Sequence, residues 1–267
     1  MHEEIPHRRR PRYRGTNPRR FEEKYKEHNP EKYAGAVEHI IAKGQTPAGM
    51  HLPICVQEIM EVLDPKPGEV ALDATLGYGG HAQKLMPRLL PDGLLFAVDV
   101  DPLEMPRTEA RMRALGYDEL TFIPLLMNFT GIRSLLPDAG GGFDCILADL
   151  GVSSMQIDNP ARGFTYKAEG PLDLRLNPNL GKPASQLLNS LTTPALESLL
   201  SEYADEPYAR DIAQAIKKRP LPILTTTDLA DTVRACLKRV DPKWTKKSLQ
   251  RTFMALRIAV NQELAVL

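Results

Sequence analysis

The sequence predicts an α/β fold: an open parallel sheet with helices on both faces, carrying an inserted helical subdomain. Three observations predict it. An apolar run at residues 70–72 leads into Asp73-Ala-Thr-Leu-Gly-Tyr-Gly-Gly-His81 and then into a helical pattern over 81–90. Short apolar segments at 70–72, 94–98, 121–126 and 145–148 are separated by stretches of crossover length, and Asp73, Asp99, Asn128 and Asp149 lie just past their ends. Beyond residue 158 the pattern turns mostly helical. Such a Rossmann-like sheet binds ligands outside the carboxyl ends of its strands, so the four polar residues would rim one crevice.

Taken in order, residues 1–35 are polar, rich in Arg, Pro, Tyr and Glu, and without apolar periodicity, which reads as a mobile arm. Seven arginines and no acid lie between His7 and Arg20. Interleaved with Tyr13 and Phe21, they suit either a solvated tail or an arm that contacts RNA through phosphate charge and base stacking. A short helix is predicted at 33–42 and a linker at 44–49, so residues 1–49 form an arm and linker. Residues 50–63 read as a turn and an amphipathic helix with Ile54, Ile59, Met60 and Leu63 facing inward. Over the whole chain Lys+Arg and Asp+Glu are 34 each, so bulk charge selects no partner. Cys55, Cys145 and Cys236 form no C-x-x-C pair, which points away from a disulfide framework or zinc site and towards a reducing cytoplasm. No apolar run approaches the roughly 18 residues of a spanning helix.

A strand that ends in glycines before a helix lets a ligand approach the backbone and the helix N-terminus closely. Asp99 ends the next strand, about twenty residues past the glycines, the offset of a carboxylate that holds ribose hydroxyls. The pattern proposes a nucleoside-bearing cofactor. Two other readings stand beside it. The glycines could form a plain turn, and Gly77, Gly79 and Ala82 also satisfy the dinucleotide pattern G-x-G-x-x-G/A. After Asp149 a long loop runs through Ser153, Ser154, Gln156 and Asp158 to Arg162, Phe164, Tyr166 and Arg175, and its mixed composition argues for function. Residues 183–218 read as two helices broken near Pro207. A third helix starts at Thr227 and runs through Leu237, and a last one covers 247–267 with Phe253, Leu256, Ile258, Val260 and Leu264 apolar. The organisation is therefore a cofactor-binding α/β domain at 50–157, a helical substrate-recognition subdomain at 158–245, and a final helix at 246–267 returning to the α/β domain.

With those residues in hand, the chain resembles the ribosomal small-subunit RNA cytosine-N4 methyltransferases. The likeness rests on Asp73-Ala-Thr-Leu-Gly-Tyr-Gly-Gly-His81, Asp99-Val-Asp101-Pro102, Asn128-Phe129 and Asp149-Leu-Gly-Val-Ser-Ser-Met-Gln156-Ile-Asp158. It continues through Arg162-Gly-Phe-Thr-Tyr166, Pro171-Leu-Asp-Leu-Arg175 and Arg251-Thr-Phe-Met-Ala-Leu-Arg-Ile-Ala-Val-Asn261. The resemblance implies a class I methyltransferase sheet and S-adenosylmethionine contacts at Gly79, Gly80, His81, Asp99, Phe129, Asp149 and Gln156. It implies small-subunit ribosomal RNA or an assembling subunit as partner, and is compatible with a homodimer. The family pattern continues past the last helix with another strand and a Phe-His-Ser-containing segment, so the closing strands of the sheet are expected to lie outside this sequence.

In the chemistry so implied, the cytosine amine attacks the sulfonium methyl. The Asp149 carboxylate and the Leu150 carbonyl accept its N–H bonds and localise its lone pair. No metal or covalent intermediate is required. The base must leave its stack, and Phe164 or Tyr166 would stack on it, unless both belong to the subdomain core. Ser153 and Ser154 are candidate substrate contacts. Arg162 and Arg175 would hold phosphates, unless Asp158 and Asp173 pair with them internally. Two other functions remain open at this level: a nicotinamide-dependent oxidoreductase, and a catalytically silent RNA-binding or ribosome-assembly factor.

Overall fold

The computed structural model describes residues 53–267; the basic arm, the 33–42 helix and the 44–49 linker lie outside the described residues. Helix α1 (Val56–Leu63) is shorter than the 50–63 pattern. Met60 is buried, Ile59 and Leu63 pack half-buried beside it, and Ile54 is exposed. The four strands are β1 (Val70–Asp73), β2 (Leu94–Asp99), β3 (Phe122–Leu126) and β4 (Cys145–Leu147). They form one parallel sheet in the order β3-β2-β1-β4.

Alternation along the strands sorts the side chains into two layers. Ala71, Leu95 and Ala97 face a core shared with α1, α2 (Ala82–Leu89) and α3 (Met105–Ala114). Leu72, Phe96 and Val98 face the opposite side and meet Leu135 and Ala139. There the β3–β4 crossover supplies a 3-10 helix, Phe129–Leu135, started by Asn128, whose side chain accepts the Thr130 N–H. Central strands buried on both faces read as continuous apolar runs, which is why β1 and β2 were legible. β4 is an edge of the described sheet and leaves Ile146 exposed.

The chain winds from β1 to β3 on one side and then returns to the other side of β1 as β4. This reversal makes the carboxyl ends of β1 and β4 the switch point, where open α/β sheets bind their ligands. Beyond β4 lie α4 (Ser154–Asp158) and a 3-10 turn, Pro160–Arg162. They are followed by α5 (Ala184–Ser190), α6 (Thr193–Ala204), α7 (Ala209–Lys217), α8 (Thr226–Cys236) and α9 (Pro242–Asn261).

Three differences from the sequence reading have local causes. Residues 183–218 form three helices rather than two, because Thr192 caps a new start at α6 with Pro194 in its first turn. Thr225, not Thr227, caps α8, through a reciprocal box with Asp228. The last helix starts at Pro242, where Asp241 caps it, and stops at Asn261 because Gln262 turns left-handed; Leu264 is exposed. The final helix was expected to return to the α/β domain. Its buried residues, Leu249, Phe253, Ala255 and Leu256, instead sit in the helical core with residues of α5 to α8.

Candidate active site

The tips of β1 and β4 are stitched together. The Ala74 N–H donates to the Leu147 carbonyl at 2.8 Å, and the Asp149 N–H donates to Thr75 Oγ1 at 2.7 Å. These bonds fix the backbone of Asp149 against the start of the glycine loop while its side chain stays 43% exposed. The buried His81, just ahead of α2, places Nδ1 3.9 Å from Asp149 Oδ2. The glycine loop and Asp149 therefore share one end of the sheet.

The loop is shaped by α3. Thr108 Oγ1 donates to the Gly77 carbonyl at 2.6 Å, and the Arg111 guanidinium donates to the Tyr78 carbonyl while lying 5.4 Å from that ring's centre. Gly79 has φ +73°, and a Cβ there would stand 2.9 Å from Thr108 Cγ2. Glycine is needed at this position for the loop to seat on the helix as well as for ligand approach. The Gly77 N–H is not left open: it donates to Asp99 Oδ2 at 2.7 Å, while the Asp101 N–H donates to Oδ1 at 2.9 Å. Burial pushes the Asp99 carboxyl above the usual carboxylate range, against the pull of these N–H groups.

The sequence places Asp73 among the four polar residues that would rim one crevice. It is fully buried, and its Oδ1 accepts the Thr75 N–H at 3.0 Å. Burial pushes its carboxyl up to about 6, with the charges of Asp99 and Asp149 adding and the Thr75 N–H and His81 opposing. Three carboxylates thus gather at neighbouring strand tips with one histidine.

Asp101, unassigned by the sequence reading, organises the neighbouring wall. Its buried Oδ2 accepts from Gln156 Nε2 at 2.7 Å and from Arg162 at 2.8 Å, and its Oδ1 accepts the Leu103 N–H. Gln156 and Ser153 also form the reciprocal cap of α4. The Gln156 amide is therefore engaged on both sides. Arg162 donates onward to the carbonyls of Arg175 and Leu176, and Leu176 N–H and Leu174 O both bond Asn261 of α9. One buried carboxylate ties the tip of β2 to the loop after β4 and to the helical subdomain.

Several expected substrate contacts fall elsewhere. Arg162 does not reach for phosphate: it is buried and paired with Asp101 rather than Asp158. Arg175 forks onto Asp173, both bonds at 2.7 Å, and closes on the Leu180 and Gly181 carbonyls. Phe164 is 7% exposed inside the helical core, so its ring is not presented to a base. Tyr166 is half-buried with its ring 5.7 Å from that of Phe253. Phe129 is half-buried against the second face of the sheet. The signal that would have found the clasp is the second aspartate of Asp99-Val-Asp101-Pro102, a buried carboxylate that needed a cation from elsewhere in the chain.

The residues present fit a nucleoside cofactor with a cationic centre. Acidic strand tips complement positive charge, Asp99 stands at the ribose position, and exposed Leu103, Leu126 and Leu150 border the tips. Next to Asp149 and Leu150, Gly151 has φ +135° and nothing within 4 Å of where a Cβ would be, which leaves room for a second ligand.

A parallel sheet with this strand order, a glycine loop and acidic tips defines a Rossmann-like α/β protein with a nucleoside-type site at its switch point. The chain belongs to the MraW methylase family, whose model matches residues 48–267. It is 49% identical to ribosomal RNA small subunit methyltransferase H 1 of Agathobacter rectalis, over 100% of this chain and 78% of that one. It is 50% identical to ribosomal RNA small subunit methyltransferase H 2 of Alkaliphilus metalliredigens, over 97% of this chain and 76% of that one. Ribosomal RNA small subunit methyltransferase H of Trichlorobacter lovleyi is 40% identical over 80% of this chain and 68% of its own length.

Proposed function

We propose that this protein methylates N4 of a cytidine in small-subunit ribosomal RNA, with S-adenosylmethionine as donor. The names of its relatives support the reaction class. The observation that carries the site is the stitch between β1 and β4, which holds Asp149 rigidly by its N–H while leaving its carboxylate accessible beside the glycine loop.

S-adenosylmethionine supplies a sulfonium methyl group. The protein's part is positioning and electrostatics. Asp99 would hold ribose hydroxyls, the backbone at Gly79 and Gly80 would let the ligand approach closely, and His81 and Phe129 would flank it. The cytosine amine is a poor nucleophile because its lone pair is delocalised into the ring. The Asp149 carboxylate and Leu150 carbonyl accept its two N–H bonds, which localises the lone pair on nitrogen. Methyl transfer to the amine would make its nitrogen acidic, and Asp149 would accept the proton released there and pass it to solvent. The open space at Gly151 admits the base, which must have left its stack. Among the described residues no helix is long and apolar enough to cross a membrane; a ribosomal RNA substrate supports the reading of a cytoplasmic activity.

The test is transfer of labelled methyl groups to small-subunit RNA or assembly intermediates, with nucleoside mass spectrometry of the product. Asp149→Asn and Asp149→Ala should lose turnover by orders of magnitude with folding unchanged, and near-normal turnover by either variant would refute the role of Asp149. No transfer by the unaltered protein would favour the assembly-factor reading, and tighter binding of NAD than of S-adenosylmethionine would favour the oxidoreductase.

A further inference from the structure

A second charged surface lies on the helical subdomain, away from the strand tips. Residues 234–251 contain seven cations and one acid, in a chain of zero net formal charge. The acid, Asp241, caps α9 by accepting the Lys243 N–H. Lys238, Arg239, Lys243, Lys246 and Lys247 are exposed, and among the described residues none of them forms an ion pair with an acid.

The arrangement is unfavourable for the isolated protein. Lys243, Lys246 and Lys247 share the exposed face of α9 at spacings of three and four, where like charges repel. Asp241 caps the start of α9, but this single acid is outnumbered by the three lysines. A polyanion relieves their repulsion.

Trp244 lies among these cations. It is the only tryptophan of the chain and is 46% exposed, with Lys247 Nζ 4.6 Å from its ring centre. An aromatic ring set between backbone-neutralising cations is how proteins bind unpaired nucleic acid.

We propose that the 234–251 surface docks the RNA phosphate backbone and that Trp244 stacks on an unpaired base. The inference rests on the RNA-methylating function proposed above and extends it to a contact remote from the reacting base. Asn261, at the far end of α9, bonds Leu174 and Leu176 beside the Arg162 clasp. Seventeen residues at 1.5 Å per residue put Trp244 about 25 Å along the helix from there. The substrate is then a folded RNA gripped at two separated points.

Because the tryptophan is single, its fluorescence reports this surface alone. The full chain is titrated with small-subunit ribosomal RNA and, separately, with phosphatidylglycerol vesicles over a salt series. Lys243→Glu/Lys247→Glu and Trp244→Ala are assayed for RNA binding and methyl transfer. RNA should quench the fluorescence. The double reversal should lower the salt slope of RNA affinity by about one per lysine and raise KM for RNA at least tenfold, with kcat at saturating RNA unchanged. Trp244→Ala should weaken RNA binding by about fivefold or more. An unchanged salt slope and KM in the double variant overturns the proposal, as does quenching by vesicles but not by RNA. Quenching by RNA without any methyl transfer by the unaltered protein sinks the enzymatic reading and leaves the docking surface standing.

Discussion

Asp73→Asn should make the protein more stable and a poorer binder of its cofactor. The buried carboxyl is pushed from its ordinary 3.8 to about 6, chiefly by burial. At 1.36 kcal/mol for each pH unit, keeping it ionised costs the folded state about 3 kcal/mol. Between pH 3.8 and 6 the folded protein holds a proton on Asp73 that the unfolded chain has lost, so stability rises as pH falls through that window. The penalty is fully present above the folded value and gone below the unfolded one. Asparagine keeps the shape, and its Oδ1 can still accept the Thr75 N–H, but it carries no charge. Urea unfolding should therefore show the variant more stable by up to about 3 kcal/mol at pH 8, with the gap closing by pH 4. Calorimetry should show weaker binding of cationic S-adenosylmethionine and little change for neutral S-adenosylhomocysteine. A gap of the same size at pH 4 and pH 8, or no gain at pH 8, would show that the buried charge of Asp73 is not the cause. Selection for a charged pocket over stability is the usual bargain at binding sites.

Three further outcomes follow from the geometry. Arg162→Met strips the cation from buried Asp101 and should lower unfolding free energy by about 3–5 kcal/mol; a loss below about 1 kcal/mol in urea titration would mean that the pair does not hold the two subdomains' connection. Gly79→Ala puts a Cβ 2.9 Å from Thr108 Cγ2 at φ +73° and should cost about 1–3 kcal/mol. Adding Thr108→Ser, which removes that methyl and keeps the hydroxyl, should recover the steric part of the lost thermal midpoint but not the part due to φ. Phe164→Ala should destabilise by about 3–5 kcal/mol yet leave RNA affinity unchanged in the cold, because the ring packs in the helical core. Selective loss of RNA binding without loss of stability would restore it as a base contact.

The residues that chemistry needs at fixed places along one strand or turn were legible from the chain. Continuous apolar runs located β1 and β2, and the glycines and Asp99 marked the loop and the next strand tip. Helix boundaries were less legible, because Thr192 and Asp241 could be known as caps only once the chain turned there. Partners far apart in sequence were not legible at all. Asp158 is closest to Arg162 along the chain, yet Arg162 pairs with Asp101, whose carboxylate lies buried at the tip of β2. Phe164 and Tyr166 had the composition of a stacking platform, and the packing of α5 to α9 claimed Phe164 for the core and set the Tyr166 ring against Phe253.

By itself, then, the sequence determined the α/β architecture, the glycine loop and the acidic strand tips, since periodicity and spacing are local properties of the chain. Tertiary structure alone decided which carboxylates are buried, that Asp101 rather than a nearer acid holds Arg162, and that the last helix joins the helical core. All depend on distances created only when segments far apart in sequence are packed together, 61 residues apart for Asp101 and Arg162, and the burial of that pair rests also on the removal of water that makes an unpaired charge there too costly to keep.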